Sequence, residues 1–113
     1  MVHPVEVTDA NFASEVEAQQ GLVVVDCWAA WCGPCRVLSP VVDALAAEYE
    51  GRAKFGKLDI DVNSAIPQRF NVRSIPTLLY FVNGELVDRT VGALPKLVLG
   101  MKVEEHLGAL AAR

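Results

Sequence analysis

The sequence predicts an α/β fold in which four helices flank a mixed five-stranded sheet, in the order βαβαβαββα. In the first two-thirds of the chain, apolar β-branched runs alternate with segments that have the hydrophobic spacing of helices. This alternation is typical of parallel strands joined by crossover helices. Two further strand-like runs flank Asn83-Gly84, a dipeptide that favours a tight hairpin turn. The hairpin should therefore form an antiparallel edge of the sheet.

The first strand is predicted at residues 5–7, followed by a helix over residues 8–20. Thr8 and Asp9 are the candidate caps of this helix, because a short polar side chain can accept a backbone N–H of the first turn. The run LVVVDCW at residues 22–28 is continuously apolar except for one acid. A run of this kind suits a central strand buried on both faces.

The middle of the chain continues the alternation. Residues 34–49 carry apolar side chains at helical spacing and begin with a proline, which fits the first turn of a helix. Residues 53–61 are predicted to form the third strand. A short helix, capped by Asn63 or Ser64, should then end near Phe70.

The hairpin strands are predicted at residues 77–82 and 86–91, on either side of the turn NGE. The last helix should run from Pro95 to Ala112. Its apolar stripe consists of Leu99, Val103, Leu107 and Leu110.

Length and composition indicate one soluble domain. A chain of 113 residues has room for a single hydrophobic core, so residues 1–113 are expected to form one domain. Hydrophobic residues make up 52% and charged residues 21%, a balance that argues against disorder. The net charge of −4 and the lack of a basic cluster make nucleic acids and anionic membranes poor partners.

Two cysteines, Cys32 and Cys35, are separated by Gly33 and Pro34 at the predicted start of a helix. The unpaired N–H groups and the dipole of a helix amino terminus favour an anion, and so lower the pKa of a thiol at Cys32. Cys35 lies one helical turn further on, where its sulfur can reach Cys32. The thiolate is the attacking species in disulfide exchange, so this spacing favours redox chemistry.

A zinc site and a structural disulfide are the alternatives. Zinc in a structural site takes four ligands, whereas the sequence has no second CxxC motif and its two histidines, His3 and His106, are isolated from each other and from the cysteines. We therefore expect no metal. The amino terminus lacks the pattern of a secretory signal, and three cysteines make a poor disulfide framework. A reducing compartment, the cytoplasm, is the expected location.

The motif WCGPC at a strand-to-helix junction resembles the active site of the thioredoxin family, and the similarity extends over nearly the whole chain. The further shared features are DCWA before the cysteines, Pro40, Lys57, SIPTL at 74–78, NGE at 83–85 and VGA at 91–93. The resemblance implies a thioredoxin fold and a general protein-disulfide reductase. In that mechanism Cys32 attacks the disulfide of a client protein, and Cys35 resolves the mixed disulfide.

The resemblance also implies partners. The dithiol is itself the redox group, so no bound cofactor is required. An NADPH-linked flavoprotein, thioredoxin reductase, would return the pair to the dithiol state. The expected clients are disulfide-cycling enzymes such as ribonucleotide reductase, peroxiredoxins and methionine sulfoxide reductases. The protein is expected to act as a monomer.

Asp26 matches the family's acid that assists proton transfer at the second cysteine, and Lys57 matches its partner in the neighbouring strand. A carboxylate in an apolar strand is costly, so burial should raise the pKa of Asp26. The alternatives are that Asp26 reaches solvent at the strand end and that Lys57 extends into water along the sheet.

Pro76 matches the family's cis-proline, which holds the backbone of Ile75 ready to pair with an extended client segment. The other residues expected to contact the client are Trp31, Gly33, Pro34 and Gly92, with Val91 and Ala93 either beside them or packed in the core. Trp28 should pack beneath the active-site loop.

The sequence departs from the family pattern at Cys27, expected to be a buried inert thiol, at Ser74 and at Arg36. Two other functions stay open. An oxidase or isomerase of the same fold would more often have a histidine before the second cysteine, and a purely binding module would not need the thiols.

Overall fold

The computed structural model describes residues 3–112, and it contains five strands and four helices in the predicted order. The strands are β1 (Val5–Glu6), β2 (Leu22–Trp28), β3 (Ala53–Asp59), β4 (Thr77–Val82) and β5 (Glu85–Val91). The helices are α1 (Ala13–Glu17), α2 (Gly33–Glu48), α3 (Ala65–Arg69) and α4 (Lys96–Ala111). In the part of the chain that the structure describes, none of the helices has the length and apolar character needed to cross a membrane.

The five strands form one mixed sheet in the order β1-β3-β2-β4-β5. Strands β1 and β2 run parallel to β3, whereas β4 runs antiparallel to both β2 and β5. Asn83 and Gly84 adopt the positive φ angles, 51° and 85°, that a tight hairpin turn requires. The prediction of a parallel part with an antiparallel hairpin at its edge is confirmed.

Alternation along β2 divides the core into two layers. Val23, Val25 and Cys27 face a cluster that includes Phe12 and Phe81. Leu22 and Val24 face the opposite cluster, to which α2 and α4 contribute. Asp26 follows Val24 on this second face, and so lies on the side of the sheet that α2 covers.

The first helix is much shorter than predicted. It occupies Ala13–Glu17 and is π-helical, with the N–H of Ala18 donating to the carbonyl of Ala13 at 2.8 Å. Thr8 does not cap this helix, which has Phe12 as its cap residue and no side-chain cap; its hydroxyl instead accepts the N–H of Asn11 at 3.0 Å. The side chain of Asn11 in turn accepts the N–H of Thr8 at 2.7 Å, which holds residues 8–11 in a turn rather than a helix.

Asp9 caps a different helix from the one predicted. Its carboxylate accepts the N–H groups of Ala65 and Ile66 at 3.0 and 2.9 Å, at the start of α3. Neither predicted cap of α3 has this role: Ser64 makes no side-chain cap, and the Asn63 amide accepts the N–H of Asp9 at 2.8 Å. An acid 57 residues away in sequence therefore replaces a local cap.

Candidate active site

The two cysteines of WCGPC lie at the start of α2, directly after the loop that leaves β2. Cys32 is the amino-terminal cap of the helix, and Gly33 and Pro34 are its first two residues. Proline is tolerated there because a first-turn N–H has no partner within the helix. Cys32 and Cys35 form a disulfide with their Cα atoms 5.3 Å apart. The structure is thus that of the oxidised state.

Polar groups surround the sulfur of Cys32. The N–H of Cys35 donates to Cys32 Sγ at 3.2 Å, and the carbonyl oxygen of Ile75 lies 3.8 Å from the same sulfur. When the disulfide is reduced, the N–H and the helix dipole favour a thiolate at this position. Both cysteines are largely covered, with 5% of Cys32 and 2% of Cys35 exposed.

Two hydrogen bonds fix the loop before Cys32. The Arg36 guanidinium donates to the carbonyl of Ala30 at 2.8 Å, and the Trp31 indole N–H donates to the Asp61 carboxylate at 3.1 Å. Trp31 is nevertheless 66% exposed, so its ring forms an apolar surface beside the cysteines. Sequence reasoning missed Asp61. The available signal was its place just after β3, since parallel strands bring their carboxyl ends to one edge of the sheet.

A second loop faces the disulfide. The Ile75–Pro76 peptide bond is cis, as expected, and the N–H of Gly92 donates to the carbonyl of Pro76 at 2.8 Å. Gly92 has a φ of 95°, which favours glycine at this position. The Thr77 hydroxyl donates to the carbonyl of Ser74 at 2.6 Å and closes the turn. The hydrogen bond from Gly92 to Pro76 thus joins the two loops.

The structure brings most of the predicted site residues together. Ile75 and Trp28 pack on a small cluster formed by the two cysteines and Ala29, and Ile60, which sequence reasoning did not single out, completes it. Trp28 thus lies beneath the loop as expected. Val91 and Ala93 are exposed rather than packed in the core.

Asp26 is buried on the face of the sheet covered by α2. It is 1% exposed, and its Oδ1 has no hydrogen-bond donor among residues 3–112. Burial raises the pKa of Asp26 to about 7, while the charge of Lys57 lowers it and that of Asp43 raises it further. The alternative in which Asp26 reaches solvent is wrong.

Lys57 stands beside Asp26 but makes its contacts elsewhere. The two residues are register partners in the parallel pair β2–β3, so their side chains project from the same face. The Lys57 ammonium nevertheless lies 2.8 Å from Asp43 Oδ1 and donates to Ser39 Oγ at 2.7 Å, both on α2. Its side chain is 22% exposed, and its ammonium is held by these two groups of α2.

Comparison with known proteins agrees with this architecture. The sequence model of the family described as Thioredoxin matches residues 3–105. The chain belongs to the thioredoxin family. It is 48% identical over 103 residues to the thioredoxin of Chlorobaculum thiosulfatiphilum, an alignment that covers 91% of this chain and 95% of that protein. A Staphylococcus aureus thioredoxin is also 48% identical over 103 residues, covering 91% of this chain and 97% of that protein.

A third relative, thioredoxin 1 of Nostoc sp., is 47% identical over 102 residues, which cover 90% of this chain and 95% of that protein. The mixed five-stranded sheet with four helices is the thioredoxin fold. The protein is accordingly an oxidoreductase that reduces protein disulfides, with Cys32–Cys35 as its redox pair. It acts on disulfide-containing client proteins and receives electrons from a reductase partner.

Cys27, unlike the redox pair, forms no disulfide. It is a free thiol, fully buried on the opposite face of β2 from Asp26. Burial first, and then the nearby charge of Asp26, raise the pKa of Cys27 to about 12. The expectation of a buried thiol is confirmed, and at neutral pH it stays protonated.

His106 lies beside two carboxylates with which the sequence analysis did not connect it. Its Nε2 lies 2.9 Å from Asp88 Oδ2, and Glu105 brings a second carboxylate, so that three groups able to ligate a metal lie within 4.8 Å. Lys102 places its ammonium 3.1 Å from Asp88 and 3.9 Å from Glu105. One side-chain cation, Lys102, thus already offsets part of the negative charge of these two carboxylates.

Proposed function

We propose that the protein reduces client disulfides by two successive exchanges at Cys32 and Cys35. The Cys32 thiolate attacks one client sulfur, which forms a mixed disulfide and releases the other client sulfur as a thiolate. Cys35 then loses its proton and attacks Cys32 Sγ. The bond between Cys32 and the client breaks, its electron pair leaves on the client thiolate, and the Cys32–Cys35 disulfide forms.

The observation that carries this assignment is the position of the pair at the amino terminus of α2. Cys32 is the helix cap and its sulfur accepts the N–H of Cys35, so both the dipole and a hydrogen bond favour a thiolate at Cys32. Cys35 is inside the first turn and is the less exposed of the two. These features support Cys32 as the nucleophile and Cys35 as the resolving thiol.

Asp26 is the proposed proton acceptor for Cys35, and Lys57 is proposed to be the nearby cation whose charge lowers the pKa of Asp26. Burial raises the pKa of Asp26 to about 7, which allows this carboxyl group both to take and to return a proton near neutral pH. Its place on β2, two residues before the strand ends at Trp28, puts it on the strand that leads into the active-site loop.

Clients are proposed to dock as an extended segment on the backbone of Ile75. The Ile75 carbonyl lies 3.8 Å from Cys32 Sγ, so a segment aligned along this backbone can present its own sulfur to Cys32. The remaining contact residues are proposed to be Trp31, Gly33, Pro34, Pro76 and Gly92. The exposed Trp31 ring and the joined loops of Pro76 and Gly92 form the rim of this surface.

The relatives named thioredoxin support a more specific proposal about the electron donor, the clients and the location of this protein. We infer that the electron donor is an NADPH-linked flavoprotein, thioredoxin reductase. Ribonucleotide reductase, peroxiredoxins and methionine sulfoxide reductases are the proposed clients. The protein would work as a single-domain monomer in the cytoplasm, with neither cofactor nor metal.

Trapping tests the order of the two steps. In Cys35→Ser the first exchange proceeds and the second cannot, so incubation with a disulfide-bonded test protein should accumulate a covalent adduct through Cys32. Non-reducing electrophoresis measures the adduct. Cys32→Ser should form no adduct and should not reduce the test protein. Cys27→Ala is the matched control and should reduce it at the wild-type rate, because this thiol is buried on the other face of the sheet.

Two outcomes would contradict the proposed function. Reduction of the test protein by Cys32→Ser would mean that Cys32 is not the nucleophile. Full biological function without either thiol would mean that the protein only binds its partners.

A further inference from the structure

The environment of Lys57 poses a question about the proton-transfer site. Lys57 and Asp26 are adjacent on neighbouring strands. A buried carboxylate is stabilised by an opposite charge, so an ion pair between the two would be expected. Asp26 Oδ1 nevertheless has no hydrogen-bond donor among residues 3–112. The lysine is drawn to two groups on α2 instead, Asp43 and Ser39.

We propose that Asp43 and Ser39 are positioning residues, which hold the Lys57 ammonium against α2 and so keep it out of direct contact with the Asp26 carboxylate. Both lie on one face of α2, four residues apart, where consecutive helical turns bring side chains together. The 2.8 Å ion pair and the 2.7 Å hydrogen bond direct the ammonium from two sides. This inference rests on the proposed role of Asp26 as proton acceptor for Cys35.

The arrangement matters because a carboxylate paired with lysine is a weak base. An opposite charge within hydrogen-bond reach stabilises the ionised form and lowers the pKa of an acid. In the resolving step, the Cys35 thiol must give its proton to the Asp26 carboxylate before the Cys35 thiolate can displace the client from Cys32. A base whose pKa lies near the working pH does this best, and the pKa of Asp26, raised by burial to about 7, fits that requirement.

Other charged groups do not replace Asp43. Lys57 shares a cavity of about 260 Å³ with Glu6 and Asp59, and Glu6 is its register partner on β1. Among the described residues, however, Asp43 is the carboxylate within ion-pair distance of its ammonium. On the β4 side, the register partner of Asp26 is Leu78, which is apolar.

The test is the pKa of Asp26, measured by carboxyl ¹³C NMR titration of the oxidised protein. Asp43→Ala should release Lys57 toward Asp26 and lower the pKa of Asp26 by about 1 unit. Asp43 is half-exposed on a helix, and alanine favours helix, so the variant should fold. Ser39→Ala removes the second tether without changing charge and should shift the pKa in the same direction by less.

Two comparisons separate positioning from simple loss of charge. Glu48→Ala removes an exposed carboxylate from the same helix, one that pairs with Lys96, and should leave the pKa of Asp26 unchanged. In a Lys57→Met background, Asp43→Ala should lose most of its effect on Asp26. If the shift persists there at full size, Asp43 acts through its own charge and the proposal is overturned. An unchanged pKa in both single variants, Asp43→Ala and Ser39→Ala, also overturns it.

The pH profile of client reduction distinguishes this inference from the proposed function. If the pKa of Asp26 and the acid limb of the profile move together in Asp43→Ala, both are supported. If the pKa moves while the profile stays fixed, the positioning is supported and the role of Asp26 in proton transfer is wrong. If the pKa does not move, the positioning fails and the proposed exchange at Cys32 and Cys35 is unaffected.

Discussion

Asp26 and Asp88 are two carboxylates in one sheet with opposite surroundings. Asp88 on β5 accepts hydrogen bonds from Lys102 at 3.1 Å and from the N–H of Arg89 at 2.8 Å, and it lies 2.9 Å from His106. Burial alone would raise the pKa of Asp88, but these hydrogen bonds outweigh it and the pKa is lowered. For Asp26 the same effect of burial dominates and the pKa is raised to about 7.

The comparison shows that burial and hydrogen-bond partners together decide the sign of the pKa shift, because Asp26 is 1% exposed and its Oδ1 has no donor, whereas the Asp88 side chain is 23% exposed and has several. A carboxylate surrounded by hydrogen-bond donors is held ionised, and its charge-assisted hydrogen bonds stabilise the fold. A carboxylate left without a donor is held protonated until the pH approaches its raised pKa, which costs stability but provides a proton carrier. In this protein the carboxylate without a donor is Asp26, which lies on β2, the strand that leads to the cysteine pair.

Replacing the buried acid should have the largest effect on stability. The pKa of Asp26 is raised from 3.8 to about 7, so its contribution to folding is fully present below pH 3.8 and is lost as the pH rises through about 7. Above pH 7 the stability lost by ionising this buried carboxyl amounts to about 4 kcal/mol. Asp26→Ala should therefore raise the free energy of unfolding by roughly 2–4 kcal/mol at pH 8, while slowing client reduction.

Denaturant unfolding of the oxidised protein at pH 8 and pH 4 measures this change. The gain should disappear at pH 4, where the wild-type carboxyl is protonated in the folded state. Asp26→Asn, which keeps the shape and removes the charge, is the matched control and should show the same pH dependence. An equal gain at both pH values would mean that the effect does not come from titration of Asp26.

The corresponding change at Asp88 should be smaller and opposite in sign. Asp88→Ala removes the acceptor of His106 and the shorter of the two carboxylate contacts of Lys102, so we expect a loss of about 1 kcal/mol at pH 7. Because the pKa of Asp88 is lowered, the wild-type advantage should fade as the pH falls through that pKa. Client reduction should be unchanged. If Asp88→Ala were stabilising at pH 8 like Asp26→Ala, hydrogen-bond partners would not explain the difference between the two acids.

Local patterns were sufficient to predict most of the fold. The apolar run of β2 predicted a buried central strand, and Asn83-Gly84 predicted the hairpin turn that the structure contains. The place of the cysteines at a helix start also followed from the chain around them, since Pro34 and the preceding strand are close in sequence. In each case the residues that determine the structure are neighbours along the chain.

The missed features depend on partners that are distant in sequence. Asp9 caps α3, and Asp61 holds Trp31 from 30 residues away. Lys57 and Asp26 are paired by the sheet, yet the helix α2 takes the ammonium. A sequence shows that such side chains are polar, but only the packing of α2 on the sheet decides which of several carboxylates a lysine reaches.

The most direct test of the central claim, that the cysteine pair donates electrons, is the equilibrium reduction potential of the Cys32–Cys35 couple. Titration against a dithiol buffer of known potential measures it. We predict a value below the glutathione poise of roughly −220 to −260 mV that biochemical extraction gives, so that the dithiol reduces its clients. A value near the roughly −120 to −180 mV of oxidising members of this fold would contradict this claim, because the protein would then form or rearrange disulfides instead.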